Sequence, residues 1–214
     1  MHCNPLLNIL IRTSNRPNYF RRLIRNIDGQ TYKKFRPIIS ADSTTTMNYI
    51  HKAGYEFVEV KHLQRSEKYS FPWNLYLNDL MARVTEGWIL FMDDDDQYAH
   101  QVIFKIIADS LPDEDSMLVW KMRFPDGRLV PDAQHFGKTP FIRKQIGMPC
   151  FAFHSKHKDK VRFDGQRAGD IRFVQQLQEF LTVEWLSITG VHLDNFGNVG
   201  RPVDLVHKQI NNSI

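Results

Sequence analysis

Trp88-Ile89-Leu90-Phe91-Met92-Asp93-Asp94-Asp95-Asp96 sets five apolar residues directly before four consecutive aspartates. An apolar run of that length, opened by Gly87, reads as a strand buried on both faces. In open α/β sheets, ligands bind at the carboxyl ends of the strands, and these carboxylates fall at such an end. Four like charges crowded there repel one another and call for a cation, and hard cations take oxygen ligands. The expectation is a divalent-metal site; a solvated acidic turn is the plain alternative.

The flanking sequence alternates helix and strand signals. Leu77, Leu80, Met81 and Val84 recur at helical spacing and predict a helix over 72–86 that Gly87 ends. Val102, Ile103, Ile106 and Ile107 form another helical face, stopped near Pro112. Towards the N-terminus, 6–11 and 35–41 read as strands. Between them Pro17 opens a helix whose apolar face is Phe20, Leu23, Ile24 and Ile27. A short helix over 47–53, closed by Gly54, and a third strand over 55–61 follow. In the second half, 117–122, 150–153 and 183–188 read as strands. Leu129-Val130 is a hairpin arm after the Pro125-Asp126-Gly127 turn, 131–147 is a loop, and 170–181 is a helix. A last short helix is expected over 203–210. The pattern predicts an α/β domain with a mostly parallel sheet. With no repeat or linker in sight, 1–214 reads as one domain, divided into halves of about 1–112 and 113–214.

The composition agrees. The 214 residues are 42% hydrophobic and 24% charged, with 15 Phe, 7 Tyr and 4 Trp, which excludes a disordered chain. A net charge of +4 suits a phosphorylated ligand but gives no sign of nucleic acid. Two cysteines, Cys3 and Cys150, exclude a disulfide scaffold and a cysteine-based zinc framework. The sequence shows no signal peptide and no apolar run approaching the roughly 20 residues of a membrane span. A reducing, cytoplasmic setting is therefore expected. Neither GxxxxGK[ST] nor GxGxxG is present, so the P-loop and Rossmann dehydrogenase classes drop out.

The aspartate run after its strand resembles the D-x-D motif of nucleotide-sugar glycosyltransferases of the GT-A fold, family 2. Leu10-Ile11-Arg12-Thr13-Ser14-Asn15-Arg16-Pro17 looks like that family's first strand and base-contacting loop. The segment from Asn78 through Gly87 to Asp96 is similar to its order of Asn, helix, Gly, strand and aspartates. The resemblance implies a three-layer, Rossmann-like fold with a smaller antiparallel acceptor-side portion. It also implies Mn²⁺ (or Mg²⁺) held against a nucleotide diphosphate. It makes Asp95 the main metal ligand and puts Asp93 on the ribose or on the metal through water. It gives Asp42, with Thr13, Ser14, Arg16, Asn78, Asp93 and Asp94, to the nucleotide sugar, and suggests His192 as a further metal ligand or diphosphate contact.

Relatives carry a Glu-Asp pair opening a late helix, with the Asp as catalytic base. The matching residues here are Gly169-Asp170, so the Glu is missing. Asp170 also suits a helix N-cap, and Asp164 competes as base. Arg12 and Arg16 can fork to phosphate, stack on a base or merely solubilise the surface. Trp73, Trp120 and Phe124 are either sugar platforms or core. His154 and His157 sit in a lysine-rich stretch that opposes metal binding. The small size and the opening residues are further similar to glycosyltransferase domains of chlorovirus capsid-glycan proteins. That implies a UDP-linked donor with UDP-rhamnose as candidate, a glycan acceptor, a longer multidomain polypeptide and a host cytoplasm. Inverting transfer is the expected reaction. A metal-dependent phosphoesterase or nuclease, and a non-catalytic nucleotide-sugar binding module, are the other readings.

Overall fold

The computed structural model describes residues 4–194, so the helix expected over 203–210 lies outside the described residues. The elements run β1 (Leu7–Arg12), α1 (Pro17–Asp28), β2 (Phe35–Ala41), α2 (Thr44–Lys52), β3 (Val58–Glu59), α3 (Tyr76–Met81), β4 (Trp88–Asp93), β5 (Gln97–Tyr98), α4 (Ile103–Ser110), β6 (Ser116–Arg123), β7 (Leu129–Val130), β8 (Phe151–His154), α5 (Gly169–Gln178) and β9 (Thr182–His192). One mixed sheet orders them β3-β2-β1-β4-β8-β6-β9-β5, with β7 paired to β6. The block β3-β2-β1-β4 is parallel throughout, and β9 runs parallel to β6. Every antiparallel pairing involves β5, β7 or β8.

Chain order reverses at β1, which has β2 on one side and β4 on the other. The carboxyl ends of β1 and β4 therefore border a topological switch point, where such sheets bind ligands. The register is specific: Ile11 lies opposite Met92 and Arg12 opposite Asp93. Only the last residue of each strand leaves the core, because the five before it in both strands are buried.

Polar side chains hold the connections. Asn8, buried in β1, donates to the carbonyls of Glu86 (2.8 Å) and Trp88 (3.2 Å) and so fixes the entry to β4. On α1, Asn26 pairs with the backbone of Tyr98 in both directions, at 3.0 and 2.9 Å. Fully buried Gln30 donates to the His100 carbonyl at 2.9 Å and accepts from the Phe104 amide at 3.1 Å. These bonds clamp the chain just after the aspartates. Phe91, two residues before Asp93, meets Phe151, Phe163 and Phe173 edge-on at 5.2–5.7 Å. Phe163 and Phe173 stack at 3.9 Å. That aromatic cluster docks α5 against β4.

Several elements depart from the sequence reading. The helix expected over 72–86 is a 3₁₀ turn, Pro72–Leu75, followed by the short α3. The third strand shrinks to Val58–Glu59, because only Ser40 and Ala41 of β2 are there to pair with it. Val102 is 45% exposed, since α4 begins after it. β9 extends to His192 along β6 and β5, and the lysine-rich stretch forms a 3₁₀ helix, Ser155–Lys160.

Gly87 tests how tightly β4 is seated. Its φ is +81°, and a Cβ there would lie 2.5 Å from the Leu6 carbonyl oxygen. Left-handed strain plus a backbone clash predicts that Gly87→Ala costs about 2 kcal/mol or more. A urea midpoint equal to that of the unmodified protein would refute this seating.

Candidate active site

A cleft of about 940 Å³ opens over the carboxyl ends of the parallel strands. Its walls bring together the β1–α1 loop (Arg12 to Arg16), Asp42 beyond β2, and Asp93, Asp95 and Asp96. The start of α5 and the segment between β6 and β8 complete it.

The four aspartates separate by environment. Asp93 is gripped by Arg12 through two parallel bonds, Nε to Oδ1 at 2.5 Å and Nη2 to Oδ2 at 2.8 Å. Burial works against its charge, but Arg12 outweighs it and holds the carboxyl below the usual range. Asp94 is wholly buried: it accepts from Thr13 Oγ1 at 2.6 Å and pairs with Arg16, yet burial still pushes it up to about 7. Asp95 faces the cleft with Arg16 Nη1 at 2.9 Å, and Arg22 donates to its backbone carbonyl at 2.8 Å. Asp96 is buried among its neighbours. Desolvation first, then the charges of Asp95 and Asp93, lift it well above the ordinary value.

Oxygens of Asp93, Asp95 and Asp96 lie within 4.8 Å of one another. The donor set is all carboxylate, which matches Mg²⁺ or Mn²⁺ rather than a soft ion. Asp96 is the residue whose charge most needs a counter-ion, because no arginine pairs with it among the described contacts. These residues fit a divalent cation. Asp93 is forked to Arg12 and Asp95 is paired with Arg16, so a cation here would share these carboxylates with the two guanidiniums.

At the other end of the cleft, Asp42 is nearly buried and accepts from Ser14 Oγ (2.9 Å), Thr46 Oγ1 (3.3 Å) and Tyr76 Oη (3.4 Å). His62 Nδ1 lies 3.1 Å from the same carboxylate. Burial, together with the Asp42 charge, pushes the Tyr76 phenol up to about 12, so it stays a donor. The carboxylate is thus oriented before any ligand arrives.

Asp170 lies in the first turn of α5 and lines the cleft. It is not the cap: that position is Ala168, which is held at φ +59° and has no capping side chain. Burial raises the Asp170 carboxyl above its ordinary value, while the Ile171 amide (3.0 Å) and the Arg12 charge restrain the shift. Asp164 is a poor base by contrast. Arg172 forks onto it at 2.5 and 2.7 Å, the bonded guanidinium lowers its pKa, and it does not line the cleft.

Three of the expected site residues lie away from the cleft lining. Asn78 exchanges two 2.9 Å bonds with the Phe163 backbone, so it braces the chain and is not a cleft residue. Asp94 is sealed behind Thr13 and Arg16 and does not line the cleft. His192 does not join the carboxylates; it ends β9 opposite Gln97 and Arg123, where burial and then Arg123 lower its pKa. His157 is buried and bonded to Glu114 and Asp115, and Trp120 is core, its Nε1 donating to Pro149 at 3.0 Å. Trp73 and Phe124 do line the cleft. The sequence reading missed Asp96 as a candidate ligand, Asn74 on Arg12, and the His62 and Tyr76 contacts to Asp42. Four identical aspartates carry no signal of which faces inward, and a lone polar residue in a helical pattern carries none of its partner.

Comparison with known proteins agrees with this fold. Searching curated proteins by sequence finds no significant match. Among solved structures, residues 1–349 of S. aureus TarS superpose with a TM-score of 0.67 at 18% identity, covering 87% of this chain and 60% of that one. The same TarS region in complex with UDP-GlcNAc gives 0.67 at 18% identity, with 87% and 57% covered. A mannosyltransferase from Pyrobaculum calidifontis, in complex with GDP-Man and Mn²⁺, gives 0.65 at 10% identity, covering 92% and 59%. At these identities the likeness is one of fold, that of GT-A glycosyltransferases, and the chain spans about 60% of the length of the structures it matches. The family model described as "Glycosyl transferase family 2" matches residues 8–157, well over half of the chain, so the chain belongs to glycosyl transferase family 2.

Proposed function

We propose that this domain transfers a sugar from a UDP-sugar to a hydroxyl of a glycan acceptor, with inversion at the anomeric carbon and with a divalent cation, Mn²⁺ or Mg²⁺. The observation that carries the reading is one cleft holding Asp42 at one end, the Asp93/Asp95/Asp96 group at its centre and Asp170 beside them. The UDP and UDP-GlcNAc complexes of TarS and the GDP-Man and Mn²⁺ complex of the mannosyltransferase support a nucleotide-sugar donor on this fold. Rhamnose as the donor sugar rests only on the likeness of the opening residues to the chlorovirus domains.

Each residue has a task in this reading. Asp42, preset by Ser14 and Tyr76, accepts the N3–H of uracil. Asp95 and Asp96, with Asp93 behind them, would hold the cation, which when bound neutralises charge on the departing diphosphate. Arg16 adds positive charge on the same side. Ionised Asp170 takes the proton of the acceptor hydroxyl as that oxygen bonds to the anomeric carbon and the bond to UDP breaks. A hydrolase built on two metals would want further carboxylates converging on the group, and among the described residues Asp170 is the other acidic side chain nearby that lines the cleft.

Three outcomes follow. UDP should raise the melting temperature with Mn²⁺ present and much less in EDTA, and Asp95→Ala should lose most of that shift; an undiminished shift in the variant would remove Asp95 from the site. Asp42→Ala should weaken UDP binding while its Mn²⁺ dependence persists, because the lost contact is to the base. Since a site built on that hydrogen bond rejects a base lacking the donor, equal binding of UDP and CDP by the unmodified protein would count against the assignment.

Asp170→Asn cannot accept a proton and should slow transfer by about 10²-fold or more while UDP binding is kept. Its stability has a sign of its own. A carboxyl whose pKa is raised in the fold stabilises fully below its ordinary pKa and loses that contribution as pH rises through the raised value. The melting temperature of Asp170→Asn should therefore match or exceed that of the unmodified protein at pH 8, the difference shrinking towards pH 4. Transfer at a near-normal rate would remove Asp170 as the base.

A further inference from the structure

We propose that Asn74 is a positioning residue that ties the base-bearing start of α5 to the aspartate strand, and that residue 169 is glycine to admit it. The inference rests on Asp170 being the base. Four groups form a hydrogen-bonded chain at the cleft: Asp93, Arg12, Asn74 and the Gln166 carbonyl. Arg12 forks onto Asp93, and its remaining arm, Nη1, donates to Asn74 Oδ1 at 2.6 Å. Asn74 Nδ2 then donates to the Gln166 carbonyl at 3.1 Å, in the turn that leads into α5. Asn74 itself is nearly buried, in the 3₁₀ turn Pro72–Leu75.

The chemistry at residue 74 is restrictive. A guanidinium can only donate and a carbonyl can only accept, so the residue between them must present one acceptor and one donor. A side-chain amide does this in one orientation; a carboxylate of the same shape supplies the acceptor and turns an oxygen towards the Gln166 carbonyl. The amide also fills the space over Gly169, where a Cβ would lie 2.6 Å from Asn74 Nδ2 and 3.4 Å from Asp164 Oδ1. Gly169 needs no positive φ, so its small size answers to this neighbour. With Asn74 Nδ2 this close, residue 169 has no room for the Glu side chain that relatives carry before the Asp. The same Arg12 guanidinium lends its charge to Asp170, so donor side and base share one cation.

The test measures UDP release from whichever UDP-sugar the unmodified protein turns over fastest, with UDP and Mn²⁺ thermal shifts in parallel. Asn74→Asp should keep the UDP shift and hold KM for the donor within about threefold, while kcat falls about 10-fold or more. Gly169→Ala alone should lower kcat, but in an Asn74→Ala background it should cost little more, because the clash has gone. Wild-type kcat in Asn74→Asp, or strictly additive losses in the Gly169/Asn74 cycle, would overturn the proposal, and the cycle decides it if Asn74→Asp does not fold. Asp170→Asn run alongside separates the two readings. If it is inactive while both Asn74 variants work normally, the base stands and the positioning role falls. If it works normally, the base reading itself falls and this inference with it.

Discussion

Neutralising four adjacent carboxylates at the end of a buried strand is the constraint on which the rest of this structure depends. The strand β4 ends at Asp93 and so delivers all four to the carboxyl end of the sheet whether or not they are stable there. The parallel register of β1 answers first, placing Arg12 opposite Asp93. One helical approach later Arg16 reaches Asp94 and Asp95. Asp96 remains, buried and bonded only weakly to the Asp194 amide at 3.4 Å among the described contacts. A site that is short of positive charge in this way is suited to a hard cation and to a ligand that brings one.

The same interactions organise the neighbouring chemistry. Arg12 is both the counter-ion of Asp93 and the anchor of Asn74, so charge balance at the acidic strand sets the approach of α5. The aromatic contacts of Phe91 with Phe163 and Phe173 supply the apolar half of that docking. Asp170 is thereby held in a partly desolvated wall, where burial raises its proton affinity. On the far side, the hydroxyls of Ser14 and Tyr76 orient Asp42, so the two ends of the cleft differ in what they offer a ligand.

Much of this was legible in the sequence because local signals are strong where both faces of a strand are buried. Strand β2 runs over 35–41 as read, and β4 differs only by including Asp93. The face of α1 was read from Phe20, Leu23, Ile24 and Ile27, all buried. What could not be read depends on partners far along the chain. The last residues of β9 are strand because β6 and β5 lie beside them, and β5 exists because Asn26 and β9 hold it. Asp42, Asp93, Asp95 and Asp170, which all line the cleft, are named through the resemblance to family 2, but the partners that hold each of them are not legible. Asn78, named for the ligand, braces Phe163; Asn74, four residues earlier, reaches Arg12.

The central claim is that the aspartate group holds a divalent cation in the presence of a uridine diphosphate bound at Asp42. Anomalous diffraction at the manganese edge, from a crystal grown with UDP and Mn²⁺, tests it most directly. The account predicts a single strong anomalous peak at the carboxylates of Asp95 and Asp96, with the uracil N3 against Asp42. A bound UDP whose diphosphate rests on Arg16 with no manganese peak, or a peak elsewhere in the molecule, would contradict it.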